Sequence, residues 1–201
     1  MADALSLLDW RRTVSGIYAG IRAAADPARA HASWRAARDP LFRDHPQSPL
    51  LPGDPLRSTG LPYWPYDPAL RFEVAMSPPT RDDHRDVPTA NDGVIHMSLV
   101  GQLHVDALDV SLDVWWLDQY AGGVFVPVRD GTAGRESYGG GRSLLDTAKS
   151  ADLGSHDGAL VVDFNFLYHP SCRYNPAWEC PLAPEGNTVR VPIRGGERLG
   201  D

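Results

Sequence analysis

The residues best equipped for chemistry lie in one stretch, DFNFLYHPSCRYNPAWECPLAPEGN, positions 163–187. Read as a strand, its opening places Phe164 and Phe166 on one face and Asp163 and Asn165 on the other, because successive strand side chains alternate. A carboxylate and an amide on one face can orient a polar ligand, with Asp163 as base or orienter and Asn165 and Tyr168 as hydrogen-bonding groups. The plainer reading is that Asp163 and Asn165 satisfy backbone groups of a neighbouring loop. Upstream, in ESYGGGRSLLD (136–146), Tyr138, Gly140 and Gly141 lead into Arg142 and Asp146. Glycines let a ligand approach the backbone, and exposed N–H groups beside a guanidinium suit a carboxylate or phosphate. The spaced glycines of dinucleotide sites and the Gly-Lys-Ser/Thr ending of phosphate loops are both absent. The structural alternative pairs Arg142 with Asp146 or Asp163.

His169, Cys172 and Cys180 follow the spacing H-x2-C-x7-C, three donors with no Cys-x2-Cys hairpin, so no metal site is expected. Cys172 as a nucleophile requires a nearby base and a depressed pKa. Otherwise the two thiols pack as small hydrophobes or pair under oxidation. His96 and His104 share a face by parity but straddle Gly101, and His45 sits in a proline-rich loop with no partner that sequence can name. Metalloprotease, serine-elbow and kinase signatures are missing.

These residues require elements to hold them. Leu7, Trp10, Val14, Ile17 and Ile21 recur at three- and four-residue steps, which predicts a helix over 4–24. Asp26-Pro27 reads as a cap and first helical residue, opening a second helix that Pro40 ends. Residues 1–40 are therefore a helical hairpin. Between Pro40 and Pro79 lie ten of the 18 prolines, which excludes sheet interior; with Tyr63, Trp64 and Tyr66 present, an ordered wrap is expected, with one strand at 71–76. The charged stretch 80–93 reads as an exposed loop. From 94 onward period-two alternation dominates: residues 95–105 with a turn or bulge at Gly101, a hairpin of 108–116 with 124–128, a strand carrying Leu160, Val162, Phe164, Phe166 and Tyr168, and a last strand with Val189, Val191 and Ile193. The predicted architecture is α+β and mainly antiparallel: one domain, with the hairpin (1–40), the wrap and loop (41–93), and a β core (94–197) curled or barrel-like to remove its edges.

At 201 residues and 42% hydrophobic content the chain can bury one substantial core. Nineteen basic against 26 acidic residues, net −7, give no positive field for phosphate backbones, so nucleic acid is not an expected partner. Charges interrupt every apolar run, so neither a signal peptide nor a membrane partner is expected, and a cytoplasmic location follows. Two cysteines make no disulfide framework for a chain this long and would remain thiols in a reducing cytosol.

HPQSPL (45–50), GLPYWPYDPALRF (60–72), RDGTAGRESYGGGRSLLD (129–146) and the block from Asp163 to Glu197 resemble, in order, the motif series of the bacterial and archaeal family called domain of unknown function 1684. The resemblance implies that Arg142, Asp146, Asp163, Asn165, Tyr168, Cys172, Cys180 and Asn187 are motif positions. His169 stands where the family pattern more often has Asn, and Ser143 where it has Tyr, which argues against His169 as a required ligand or base. The family name assigns no activity and no cofactor.

Three functions compete. The first is binding or processing of a small molecule, with Arg142 anchoring an anionic group, Asp163, Asn165, Tyr168 and Cys172 as catalytic candidates, and Tyr138, Gly140, Gly141, Asp146 and Asn187 contributing to the ligand site. The second is a non-catalytic module presenting the 60–68 aromatics and Trp115 to a partner, self-association included. The third, by analogy with small barrels alone, is a flavin-binding split barrel.

Overall fold

The structure, a computed structural model, describes residues 2–89 and 93–200. Helices α1 (Ala2–Ala23) and α2 (Pro27–Asp44) form the hairpin. Asp26 starts α2 by accepting the N–H groups of Ala28 at 2.9 Å and Arg29 at 3.2 Å, while Pro27 takes the first position, where no N–H is needed. The helix does not end at Pro40. That ring removes the hydrogen bond to the carbonyl of Ala36, but both residues lie on the exposed face, where water can serve that carbonyl. Burial of Leu41 and Phe42 holds the extra turn, and Trp10 of α1 packs on Phe42 with ring centroids 5.5 Å apart.

Two antiparallel sheets lie beyond the hairpin. One is a five-stranded meander, β2 (His84–Pro88), β3 (Val94–Val105), β4 (Val110–Leu117), β5 (Gly123–Val128) and β6 (Arg142–Asp146), paired in that order. The other has the order β1–β8–β7, from Arg71–Ala75, Ala159–Asp163 and Ser155–His156. The expected barrel does not close; both sheets are open. The β2 edge is blunted instead by exposed His84, Arg85 and Asp86 and by Pro88, and β6 is covered by bridges from Tyr168 and Ala151.

The differences from the sequence reading have local causes. Strand β2 lies in the stretch read as loop, of which residues 90–92 fall outside the described residues; pairing with β3 forms it, although Val87 is its only buried apolar contact. Of the turn or bulge read at Gly101, the structure has the bulge, a register shift between Leu99 and Gly101 within a continuous β3. A Cβ on Gly101 would stand 2.6 Å from the Met76 side chain and 2.9 Å from the Ser77 carbonyl, so the glycine admits the chain that crosses here. The bulge changes which face of β3 turns inward, so the sheet serves two cores. Leu103, Leu112 and Val114 face the main core, while Met97, Leu99, Trp115, Leu117 and Phe125 form a second one, which takes Trp115 away from any partner. Tyr63 is likewise buried. Residues 189–193 form no strand; they run as a strap beside 129–131, with Val189 donating to the Arg129 carbonyl and Gly131 to that of Val191.

The strap ends at Glu197, whose side chain is wholly buried. Its carboxylate accepts hydrogen bonds from the Arg38 guanidinium, from the His169 backbone N–H at 2.7 Å and from the Tyr174 hydroxyl at 2.7 Å. Arg38 also donates to Tyr63 and stacks on Trp34 and Phe42. Removing one member leaves the other charge buried without a partner. Glu197→Ala should therefore lower the unfolding free energy by about 3–5 kcal/mol, read from the midpoint of urea denaturation; a loss near zero would show that Arg38 is not held this way.

Candidate functional site

The antiparallel register sets Arg71 opposite Asp163 and Glu73 opposite Val161, so these side chains share the sheet face that points away from Phe72 and Val162. The end of α1, the start of α2 and residues 153–156 rise around that face. Together they enclose a cleft of about 480 Å³ lined by Ile21, Arg22, Arg71, Glu73, His156 and Asp163, with Ala30, Leu153 and Phe166 among its apolar walls. Arg22 is fixed at its rim by donating to the Asp152 carbonyl at 2.8 Å.

Asp163 is the last residue of β8, and the strand does not run on to Tyr168. Its Oδ1 accepts the N–H of Asn165 at 3.0 Å, which turns residues 164–166 into a 3-10 helix. That oxygen also accepts from Asn165 Nδ2 at 2.8 Å, and the Tyr66 hydroxyl bonds to the same carboxyl group. Only 1% of Asp163 is exposed, yet it lines the cleft. Burial, opposed by the Asn165 hydrogen bonds and the Arg71 charge, raises its pKa from 3.8 to about 6. The cleft thus holds a carboxyl group that gains and loses a proton near neutral pH.

Other members of the sequence-derived set go elsewhere. Arg142, Asp163 and Asn165 do not share a hollow. The Arg142 guanidinium is buried against the strap, donating to the carbonyls of Ile193 (2.8 Å), Gly195 and Glu197 (2.9 Å) and to Asp130 Oδ1 (3.1 Å), with Trp64 across its face. Its ion partner is Asp130, not Asp146 or Asp163. Asn165 spends its amide on the backbone N–H and carbonyl of Asp67 and on Asp163, so it fastens the proline-rich wrap. Asn187 is buried between the Trp115 indole N–H and the Asp113 carbonyl. Protein partners thus occupy the side-chain amides of Asn165 and Asn187 and both terminal nitrogens of Arg142, whose buried Nε alone among these groups has none.

The glycines before Arg142 admit protein rather than ligand. A Cβ on Gly140 would come within 2.6 Å of the Tyr138 ring and 3.0 Å of Leu182. Gly141 has φ +92°, and a Cβ there would lie 2.8 Å from the Val128 carbonyl oxygen. This lets the loop 171–183 lie against the glycines and brings Tyr138, Cys172 and Cys180 together. Asp146 accepts from Lys149 at 2.9 Å and lies 3.5 Å from the Tyr168 hydroxyl, whose pKa burial raises. His169 Nε2 accepts the Tyr138 N–H at 3.2 Å, and burial followed by Arg142, Arg173 and Arg38 holds its pKa well below the ordinary histidine value. No group of three or more metal-ligating side chains converges among the described residues. The lone surface histidines pair locally, His96 with Asp86 at 2.7 Å and His104 with Ser111 at 2.9 Å.

Arg22, Arg71, Glu73, His156 and Lys149 were not singled out in the sequence, and Tyr66 only as one of the 60–68 aromatics. A signal existed for two of them: Arg71 and Glu73 alternate with Phe72 and Val74, which puts a charge pair on the side of a strand opposite its core. Nothing in the sequence says that Asp163 lies across from them.

The fold and cleft define an α+β protein in which a helical hairpin overhangs a small antiparallel sheet. The chain belongs to the family described as protein of unknown function (DUF1684), which matches residues 57–198. It is similar to an uncharacterised protein of Haloarcula marismortui solved by solution NMR, with 31% identity over 82% of this chain and 90% of that one and a TM-score of 0.58. None of the curated proteins matches. The family match begins at residue 57, so it spans the Asp163 strand, the glycine run and the strap but not the hairpin.

Arg142→Met should cost about 3–5 kcal/mol of stability by stranding Asp130, measured by urea denaturation. A variant as stable as the wild type would return Arg142 to the list of ligand-binding residues.

Proposed function

We propose that the chain binds a small polar molecule in the cleft between the hairpin and the β1–β8–β7 sheet, and that Asp163 exchanges a proton or a hydrogen bond with it. The single observation that carries the reading is a nearly water-excluded carboxyl at the cleft floor, held at a pKa of about 6. A volume of about 480 Å³ suits a small organic ligand. Arg22 and Arg71 offer charge to an acidic group, while Asp163 and Glu73 accept from an amine or hydroxyl, so a molecule bearing both kinds of group fits the lining. The walls from Ile21, Ala30, Leu153 and Phe166 suit a short apolar body.

Asp163→Asn tests this cleanly, because the amide oxygen still accepts the Asn165 hydrogen bonds while the ionisable group is lost. Thermal-shift and ligand-observed NMR screening against amino acids, hydroxy acids and polyols should find compounds that stabilise the wild type and leave the variant unmoved. Equal binding by both proteins, or a folded wild type that takes none of these compounds, would defeat the reading.

The same variant carries a pH prediction. Below about pH 4 Asp163 is protonated in both the folded and the unfolded chain; as pH rises towards 6 the unfolded chain releases this proton first, so stability falls, and above 6 the cost is constant, on the order of 3 kcal/mol. His31, buried and lowered to about 4, acts oppositely, withdrawing stability as pH drops below 6.5. The difference in melting temperature between Asp163→Asn and wild type should therefore grow from pH 4 to pH 7 in favour of the variant. A difference independent of pH would mean that Asp163 titrates at its ordinary value.

A further inference from the structure

Helix α1 turns Trp10, Val14, Ile17 and Ile21 towards the core, with Tyr18 buried among them. Its outer side is unlike an ordinary solvent face. Leu5 is 63% exposed and Leu8 41%, and Gly16 and Gly20 lie in mid-helix, both exposed. A glycine inside an exposed helix is less favourable than alanine, and its use is to let another backbone or side chain come close. Elsewhere that close neighbour is present: a Cβ on Gly101 or Gly123 would stand 2.6 Å from another part of the chain, and one on Gly195 2.9 Å. A Cβ on Gly16 or Gly20 would meet nothing within 4 Å, and neither glycine has a positive φ. No described residue makes use of them.

Leu5, Asp9, Arg12 and Gly16 follow one another at steps of four, three and four, so they form one line along this outer side, and all four are exposed. The line is complementary to itself when reversed. Laid antiparallel on a copy, it sets Leu5 over the partner's Gly16 and Arg12 beside the partner's Asp9, and the two-fold axis repeats both pairings. The large side chain meets the position without one, and each charge meets its opposite. Both charges are available for this. Arg12 makes no hydrogen bond or ion pair among the described residues, and Asp9, with His45 Nε2 at 3.3 Å from its Oδ2, keeps 70% of its side chain exposed.

We propose that the outer side of α1 is a docking surface for a second copy of this chain, the two helices lying antiparallel with Leu5 seated over the partner's Gly16 and Arg12 paired with the partner's Asp9. The charges select this direction. A parallel pair would bring Arg12 against the partner's Arg12 and Leu5 against the partner's Leu5, leaving both glycines unfilled. With glycine at the contact the axes can approach to about 8 Å, the short end for packed helices. The two symmetry-related ion pairs lie at the rim, where they fix register more than they add affinity. A single helix pair is a small interface, so the association is weak and concentration-dependent. The line turns away from Ile21 and Arg22, which line the Asp163 cleft, so the pairing and the cleft reading stand or fall separately.

Sedimentation equilibrium on the full chain, from about 10 µM to about 1 mM, should show a monomer–dimer equilibrium. Gly16→Leu meets nothing in its own chain but takes the place of the partner's Leu5, so it should weaken the dimer by about tenfold or more while the dilute monomer melts no lower than the wild type. Arg12→Asp and Asp9→Arg should each stay monomeric over the same range. Their equimolar mixture should dimerise again, because both facing pairs then carry opposite charges. The proposal is overturned if the wild type is a monomer at about 1 mM, if Gly16→Leu dimerises as tightly as the wild type, or if the mixture associates no more than its components. The Gly16→Leu comparison decides the matter even where a charge variant fails to fold.

Discussion

The Glu197 carboxylate is the constraint on which the remaining architecture depends. It is far from the hairpin in sequence and wholly buried, and it takes the Arg38 guanidinium of α2, the backbone of His169 and the hydroxyl of Tyr174. One side chain therefore joins the hairpin, the segment after β8 and the C-terminal strap. Backbone bonds complete the lock: Glu197 donates to the Leu167 carbonyl, Trp64 to that of Gly196, and Arg198 to that of Pro62. A buried ion pair is costly to desolvate, so it earns its place chiefly by excluding other arrangements of the same segments. Arg142 and Asp130 repeat the device one layer away, where the guanidinium gathers three strap carbonyls.

This locking explains why the cleft exists. With the wrap tied to Asn165 through Asp67 and the strap tied to Arg38 and Arg142, the hairpin is held over the β1–β8–β7 sheet instead of collapsing onto it. The outer face of β1 and β8 is then overhung by α1 and α2, and Asp163 is deprived of water without being given a full set of charged partners. A raised carboxyl pKa is the electrostatic signature of that compromise. The Arg38 guanidinium and the Glu197 carboxylate are taken up by protein partners, whereas the Asp163 carboxyl also lines the cleft.

Asp163 ends a strand whose register with β1 is continuous from Arg71 to Ala75, so its position is set by sheet hydrogen bonds. No helix among the described residues is long and apolar enough to cross a membrane.

The sequence carried the hairpin, the Asp26 cap, β1, the β4–β5 pair and the family, because each is written in short-range periodicity or in residues close along the chain. It did not determine the role of Arg142 or Asn165. A buried guanidinium and a ligand-seeking one look alike until its acceptors are known, and those acceptors, Asp130 and three strap carbonyls, are brought to it from both sides in sequence. Strand-like alternation from Leu160 to Tyr168 and from Val189 to Ile193 was likewise overridden, once by the Asp163 side chain turning the backbone and once by the strap bonding to residues 129–131. Only the tertiary structure decided which polar groups were left over, since satisfaction of a buried hydrogen-bonding group is a property of its neighbours in space and not of its own chemistry.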